Sequence, residues 1–378
     1  MPDAGFGLYI HWPFCAAKCP YCDFNSHVWA VVDQADWAAA FEQELDRVAS
    51  LTSEKVLSSV FFGGGTPSLM EGRTVDRLMN RIRKNWRLTN DLEVTLEANP
   101  TSIEADRFAA FRASGVNRVS VGVQALNNAD LKALGRLHTV EEALKAVDIA
   151  RNTFDRVSFD LIYARQNQSV ADWENELGMA LSFSPDHLSL YQLTIEDGTA
   201  FGDRFKRGLL RGLPDEDLGA DLWEVTQTLC NESGLPGYEV SNHAKQGYES
   251  RHNLIYWSSG EWAGIGPGAH GRLMLDDVRH ETVAHSAPKL WLDNVRSMGS
   301  GDSVSNPLDD EAVLEERILM GLRKKDGIDM PLAWLSEKRN KINDLSVLGL
   351  VRREENRLTV TEAGRPVLNA VINGLLAG

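Results

Sequence analysis

Between Gly7 and about Leu193 the chain repeats one pattern: a short apolar run, a turn, then an amphipathic helical stretch. The runs at 8–11, 56–62, 93–98, 118–123, 157–162 and 187–193 are rich in Val, Ile, Leu and Phe and read as strands. Helical patterns lie between them at about 36–51, 74–86, 104–114, 140–151 and 172–181. Trp37, Phe41, Leu45 and Val48 recur three and four apart and so share one helix face. Gly115 stands where a helix must end before the next strand. A chain that returns through a helix re-enters the sheet from the same end, so such repeats force parallel strands. The expected class is α/β. Six units predict an incomplete parallel (β/α)6-type barrel rather than a closed eight-fold one. An open sheet with helices on both faces is the alternative.

The pattern changes after Thr194. Residues 215–233 read as one long helix, and 237–271 form a polar, Gly-rich and aromatic segment. From Asp309 the expected order is three helices, two short strands and a helix. Val351 and Leu358–Val360 flank the polar turn Glu354-Glu355-Asn356, as in a winged-helix module. The predicted organisation is a partial barrel over 1–200, an extension carrying a ligand site over 201–305, and a winged-helix-like module over 306–378. A DNA reader needs a basic face. From Asp309 onward there are 11 Lys and Arg against 12 Asp and Glu, and the whole chain carries −15, so nucleic acid is not an expected partner. No apolar run reaches the length of a bilayer span. The first residues lack a basic start, and 8–14 is broken by His11 and Pro13, which argues against a secretory signal. A cytoplasmic location is expected, with peripheral membrane contact left open.

Three of the four cysteines fall within eight positions, Cys15-Ala-Ala-Lys-Cys19-Pro-Tyr-Cys22, directly after the first predicted strand. This is no disulfide framework, and clustered thiolates suit a reducing compartment. Cys230, alone in a helical stretch, reads as a small core residue. Three thiolates on one short loop reach three corners of an iron–sulfur cube. Electron-transfer clusters take four protein ligands, whereas three leave an iron open to a small molecule, as catalytic metals are. Lys18 favours thiolates, and Phe14, Tyr21 and Phe24 can form an apolar shell. Structural zinc with His11, Asp23 or His27 as fourth ligand is the alternative, but no second cysteine pair exists.

The three-then-two spacing after an initial strand resembles the signature of the radical S-adenosylmethionine superfamily. The runs Tyr9-Ile-His-Trp-Pro-Phe-Cys15, Phe62-Gly-Gly-Gly-Thr-Pro67, Glu97-Ala-Asn-Pro100, Ser120-Val-Gly-Val-Gln124, Leu134-Gly-Arg-Leu-His138 and Phe159-Asp-Leu-Ile-Tyr163 narrow it. In order and spacing they resemble the oxygen-independent coproporphyrinogen III oxidase group along nearly the whole chain. The resemblance implies a 4Fe–4S cluster on Cys15, Cys19 and Cys22. It implies S-adenosylmethionine bound by Tyr9, Phe24, Gly64, Gly65, Thr66, Glu97, Gln124, Arg136 and Asp160, and an external electron donor. Arg136 can pair with the methionine carboxylate, and Gln124 and Asp160 can meet ribose hydroxyls. After Tyr163 the group usually has Gly-Leu-Pro-Gly-Gln; here Ala164-Arg-Gln-Asn-Gln168 leaves the backbone path in question.

The oxidases of this group carry a fourth cysteine where this chain has Phe24, and a longer N-terminal extension than the fourteen residues before Cys15. Both departures point to the sister branch, the HemW-type haem chaperones. That branch's His-Asn-x-x-Tyr-Trp motif matches His252 to Trp257. Imidazole is a good haem ligand, and Tyr256 and Trp257 offer flat apolar surface. His270, in Gly264-Ile-Gly-Pro-Gly-Ala-His-Gly271, is a second candidate. The expected function is haem binding and delivery to acceptor proteins, membrane respiratory enzymes being one class. The alternatives are the oxidase itself and a non-catalytic haem- and cluster-binding protein.

Overall fold

Eleven strands form one mixed sheet in the computed structural model, which describes residues 4–101 and 106–377. All six predicted strands are present: β1 Phe6–Trp12, β2 Val56–Gly64, β3 Arg87–Ala98, β4 Arg118–Gln124, β5 Arg156–Tyr163 and β6 His187–Gln192. They pair in chain order and in parallel. The helices between them are α1 Gln34–Leu51, α2 Gly72–Asn85, α3 Phe108–Ser114, α4 Asn128–Ala133, α5 Val140–Thr153 and α6 Val170–Ser182. The start expected for α3, at residue 104, lies outside the described residues. Gly115 ends α3 in the left-handed conformation at φ 107°.

The arc of parallel strands is one longer than the sequence suggests. After α7 (Ala200–Lys206), α8 (Glu216–Glu232), the short β7 (Asn242–Ala244) and α9 (Arg251–Trp257), Glu261–Ile265 forms β8, parallel to β1 on its free side. That segment was too short and too Gly-rich to read as a strand. Gly264 explains the composition, because a Cβ there would sit 2.1 Å from the His270 carbonyl oxygen. Beyond β8, β9 (His270–Leu275), β10 (Val278–Ala284) and β11 (Asp302–Pro307) add antiparallel strands. Asp276 and Asp277, both at positive φ, make the two-residue hairpin between β9 and β10. At the far edge β7 pairs antiparallel with β6. The sheet order is β11-β10-β9-β8-β1-β2-β3-β4-β5-β6-β7, and the barrel stays open. Strands between 242 and 307 thus extend both edges of the first sheet instead of forming a layer upon it.

On β1, Leu8, Ile10 and Trp12 turn toward α1, where Trp12 meets Trp37 and Phe41 at ring distances of 6.4 and 6.3 Å. The predicted α1 stripe of Trp37, Phe41, Leu45 and Val48 is buried there. Each such side chain contributes about 1.5–3 kcal/mol. Strand alternation sends Tyr9 and His11 the other way, into the concave interior. Functional groups therefore gather on that face, at the C-terminal ends of the strands.

After α10 (Pro288–Met298), the C-terminal region has its own core, including Ile318, Leu322, Leu335, Leu358 and Leu375. It comprises α11 (Asp310–Gly321), α12 (Leu332–Glu337), α13 (Arg339–Val347), α14 (Leu368–Leu376) and a three-stranded sheet of β12 (Ile328–Asp329), β13 (Val351–Glu354) and β14 (Arg357–Val360). No helix among the described residues is long and apolar enough to cross a membrane.

Candidate functional site

The loop leaving β1 carries Cys15, Cys19 and Cys22, all partly buried and free. The Cys22 amide donates to the Cys19 carbonyl at 3.1 Å, a tight turn that turns their side chains to one side. Thr66 Oγ1 donates to Cys15 Sγ at 3.4 Å, and Arg136 Nη1 donates to Cys19 Sγ at 3.4 Å. Burial pushes the Cys15 and Cys22 thiols up, so ligation must displace their protons. Among the described residues no three His, Cys, Asp or Glu side chains converge on a point that would hold one ion.

Two of the candidate zinc ligands, His11 and His27, are engaged with protein partners. His11 Nε2 donates to the Asn25 carbonyl at 2.9 Å, while its Nδ1 accepts from Tyr9 Oη at 3.1 Å. His27 Nε2 donates to Asn25 Oδ1 at 3.1 Å. Asn25 in turn donates to the carbonyls of Pro267 and Ser286 at 2.8 and 2.9 Å. It clamps the cysteine loop onto the Gly-rich 264–271 segment, where a Cβ on Gly266 would strike the His11 backbone and one on Gly268 the Asn25 side chain. Nothing in the sequence pattern singled out Asn25.

The Gly63-Gly64-Gly65 turn at the end of β2 is shaped first by protein neighbours. Cβ atoms there would meet the Tyr9 ring, the His11 ring and the Phe14 carbonyl respectively, and Gly64 sits at φ 110°. The Gly64 amide donates to Glu97 Oε2 at 3.3 Å. Glu97 and Gln124, at the ends of β3 and β4, come together with Asp160 from within β5, each partly open like Tyr9. Burial, then the neighbouring Asp160 charge, push the Glu97 carboxyl up to about 8. Burial also raises Asp160, opposed by hydrogen bonds from Ser189 and Ser120. Gln124 holds a left-handed backbone at φ 72°, a strained state for a side-chain-bearing residue. Gly122 leaves room for it, since a Cβ there would lie 2.8 Å from Gln124 Nε2.

Arg136 joins the two halves of the site. Besides Cys19, its guanidinium donates to Asn99 Oδ1 at 2.6 Å and to the Gly122 carbonyl at 3.0 Å. Asn99 Nδ2 reaches Thr66 Oγ1 at 3.2 Å and so back to Cys15. Asn99 lies inside the Glu97–Pro100 motif but was missed as a participant. Arg136 Nε is buried without a protein partner. That N–H suits a carboxylate, and the Glu97–Asp160 pair suits a cationic group, so the residues fit an amino-acid-bearing sulfonium cofactor next to a cluster. Phe24 stands 59% exposed beside Cys22 at the outer edge of this cleft.

His252, the first haem-ligand candidate, lies away from open space. His252 is 1% exposed, on α9 beneath the sheet. Nδ1 meets Ser59 Oγ at 2.8 Å and Nε2 meets Tyr256 Oη at 2.6 Å. The ring is packed against Phe61 and Tyr9, at centroid distances of 5.1 and 6.2 Å. Both nitrogens are engaged, so the imidazole presents no lone pair to the cleft. Tyr256 packs on Trp262 at 4.4 Å, and Trp257 is half-buried with its indole N–H unpartnered. The motif forms the floor of the cleft. Of the nine histidines, all described, His270 alone is exposed; it stands at the start of β9, close enough to His11 to lower that group's pKa.

The 164–168 loop takes left-handed backbone at two positions despite lacking glycine. Ala164 and Asn167, where the related group has glycines, adopt φ values of 59° and 57°.

Fold and site together define a radical S-adenosylmethionine protein. The Radical SAM superfamily model matches residues 9–179, and the HemN C-terminal domain model matches residues 308–367. The chain is 41% identical to the heme chaperone HemW of Escherichia coli, covering 72% of this chain and 71% of that one. It is 35% identical to the heme chaperone HemW of Mycobacterium tuberculosis over 100% of this chain and 96% of that one. It is 36% identical to the mitochondrial radical S-adenosyl methionine domain-containing protein 1 of Bos taurus, over 98% and 87%. Coproporphyrinogen III oxidase from Escherichia coli shares the fold, with a TM-score of 0.83 at 22% identity over 100% of this chain and 91% of that one. The chain belongs to the HemW-type family of radical S-adenosylmethionine proteins. Membership implies a 4Fe–4S cluster and S-adenosylmethionine as its cofactors.

Proposed function

We propose that this chain is a haem chaperone, binding haem at the mouth of a radical S-adenosylmethionine core and passing it to acceptor proteins. The observation that carries the reading is the similarity to heme chaperones HemW along nearly the whole chain. Phe24, where the related oxidases have a fourth cysteine, supports it. In this reading Cys15, Cys19 and Cys22 hold the cluster. Tyr9, Phe24, Gly64, Gly65, Thr66, Glu97, Gln124, Arg136 and Asp160 surround S-adenosylmethionine, with Arg136 Nε–H on its carboxylate. When bound, the cluster supplies the electron for reductive cleavage of that cofactor. The protein's share is to orient the carboxylate, to neutralise charge with Glu97 and Asp160, and to keep water out. His270 is the iron ligand. The partly enclosed ring, then the Arg272 guanidinium, hold its pKa below the usual histidine range, so the solvent-accessible imidazole is neutral and able to ligate.

The test is anaerobic reconstitution followed by haem titration of wild type, His270→Ala and His252→Ala, with a coproporphyrinogen III assay of wild type. A Soret band altered by His270→Ala, without porphyrinogen turnover, is expected. Sustained formation of protoporphyrinogen would return the chain to the oxidases. A protein that takes up no haem in any form would end the chaperone reading.

A further inference from the structure

We infer that Arg165 is a positioning residue for the S-adenosylmethionine pocket, acting through a buried ion pair with Glu176 and a partly exposed one with Asp130. The inference rests on the cofactor reading above and extends it to three residues that make no contact with the cleft. Arg165 stands in the altered 164–168 loop and is 5% exposed; Glu176, on α6, is 8% exposed. Arg165 Nη2 donates to Glu176 Oε2 at 2.5 Å and to Asp130 Oδ2 at 3.0 Å. Its Nη1 donates to the Ile162 carbonyl at 2.6 Å and to Glu176 Oε1 at 3.3 Å. Gln168 folds back over the pair, its Nε2 on Glu176 Oε2 at 3.3 Å and its Oε1 accepting from the Arg165 amide at 3.2 Å.

Each acid leads to one wall of the cofactor site. Glu176 Oε1 accepts the Leu126 amide at 2.6 Å, two residues beyond Gln124. Gln124 is the residue at φ 72°, and a left-handed backbone persists only where the surroundings fix it. Asp130 lies in α4, whose end is continued by Leu134-Gly135-Arg136; the Arg136 amide donates to the Leu131 carbonyl at 2.8 Å. One guanidinium thus ties together the turn that carries Gln124 and the helix from whose C-terminal turn Arg136 projects. A buried carboxylate left without its cation must protonate or draw in water, and either shifts the backbone it holds. In the related group this loop is Gly-Leu-Pro-Gly-Gln, with no cation at the position of Arg165.

The experiment compares wild type, Arg165→Leu, Arg165→Lys, Asp130→Ala and Arg136→Ala after anaerobic reconstitution. It measures iron content, the thermal midpoint, and the dissociation constant of S-adenosylmethionine by equilibrium dialysis. Arg165→Leu should bind the cofactor about tenfold more weakly with iron content unchanged, the size of a coupling between neighbouring groups. Arg165→Lys should recover part of the loss, and Asp130→Ala should weaken binding by a smaller factor. A merely structural role would lower the midpoint without changing the affinity of the folded protein. Affinity within twofold of wild type in folded Arg165→Leu overturns the clamp; should that variant not fold, unchanged affinity in Asp130→Ala does so. Arg136→Ala separates the two levels. If it too binds normally, the cofactor site itself is misplaced; if it alone loses binding, only the clamp fails.

Discussion

Replacing His252 by alanine removes a ring that is 1% exposed and held by two hydroxyls. Ser59 Oγ is left in a fully buried position without this partner, and a space opens between the rings of Tyr9, Phe61 and Tyr256. An unsatisfied buried hydroxyl costs about 1–3 kcal/mol, and with the cavity the variant should be about 3–5 kcal/mol less stable at pH 7. The pH dependence sharpens the test. Burial, then the Arg118 charge, lower the His252 pKa to about 3 in the fold, against 6.5 for the free side chain. Between those values the unfolded chain binds the extra proton, so stability contributed by this residue falls as pH falls, by about 1.4 kcal/mol per pH unit. The alanine variant lacks that proton, so its deficit should shrink between pH 7 and pH 5. His138, His187 and His243 keep lowered pKa values in both proteins and cancel in the difference. Anaerobic urea unfolding at the two pH values reads the effect, and a haem titration of the same samples should keep its Soret band. An unchanged unfolding midpoint at pH 7 would refute the floor assignment. A lost Soret band with an unchanged midpoint would make His252 the iron ligand after all.

Cys19→Ser should abolish the 4Fe–4S spectrum, while Cys230→Ser should keep it, because Cys230 is fully buried in α8 and its thiol is pushed up to about 12; iron content and absorbance decide both. Arg136→Ala should weaken S-adenosylmethionine binding by about 1.5–3 kcal/mol, or roughly ten- to a hundred-fold, measured by equilibrium dialysis. Ala164→Gly should stabilise the fold by about 0.5–1 kcal/mol in denaturant unfolding, since φ 59° strains a residue with a Cβ; a loss of stability would show that the methyl group packs better than the backbone suffers.

The six parallel strands, the α1 stripe and the cysteine loop were legible because each is written locally. Side-chain period sets strand and helix, and the cluster motif needs only eight consecutive residues. That Glu97 and Gln124 share a rim was legible too, because parallel strands place equivalent ends together; Asp160, within its strand, joins them only through the pairing of the sheet. Family-like spacing assigned Arg136, but not its bonds to Asn99 and Cys19, which join residues 37 and 117 positions away.

What the sequence by itself determined is six of the seven parallel strands and the cysteine loop at their mouth. Only the tertiary structure decided which polar groups face open space. His252 and His270 carry the same imidazole, one in an aromatic and one in a glycine-rich context, and no periodicity separates them. The difference arises when Glu261–Ile265 pairs with β1 and seats α9 under the sheet, where Ser59 and Tyr256 take both nitrogens of His252. The same holds for Arg165, whose charge looks like a solvated loop residue until Glu176 and Asp130 are brought to it. Burial of a polar group depends on partners distant in the chain, and those partners are known only once the chain has folded.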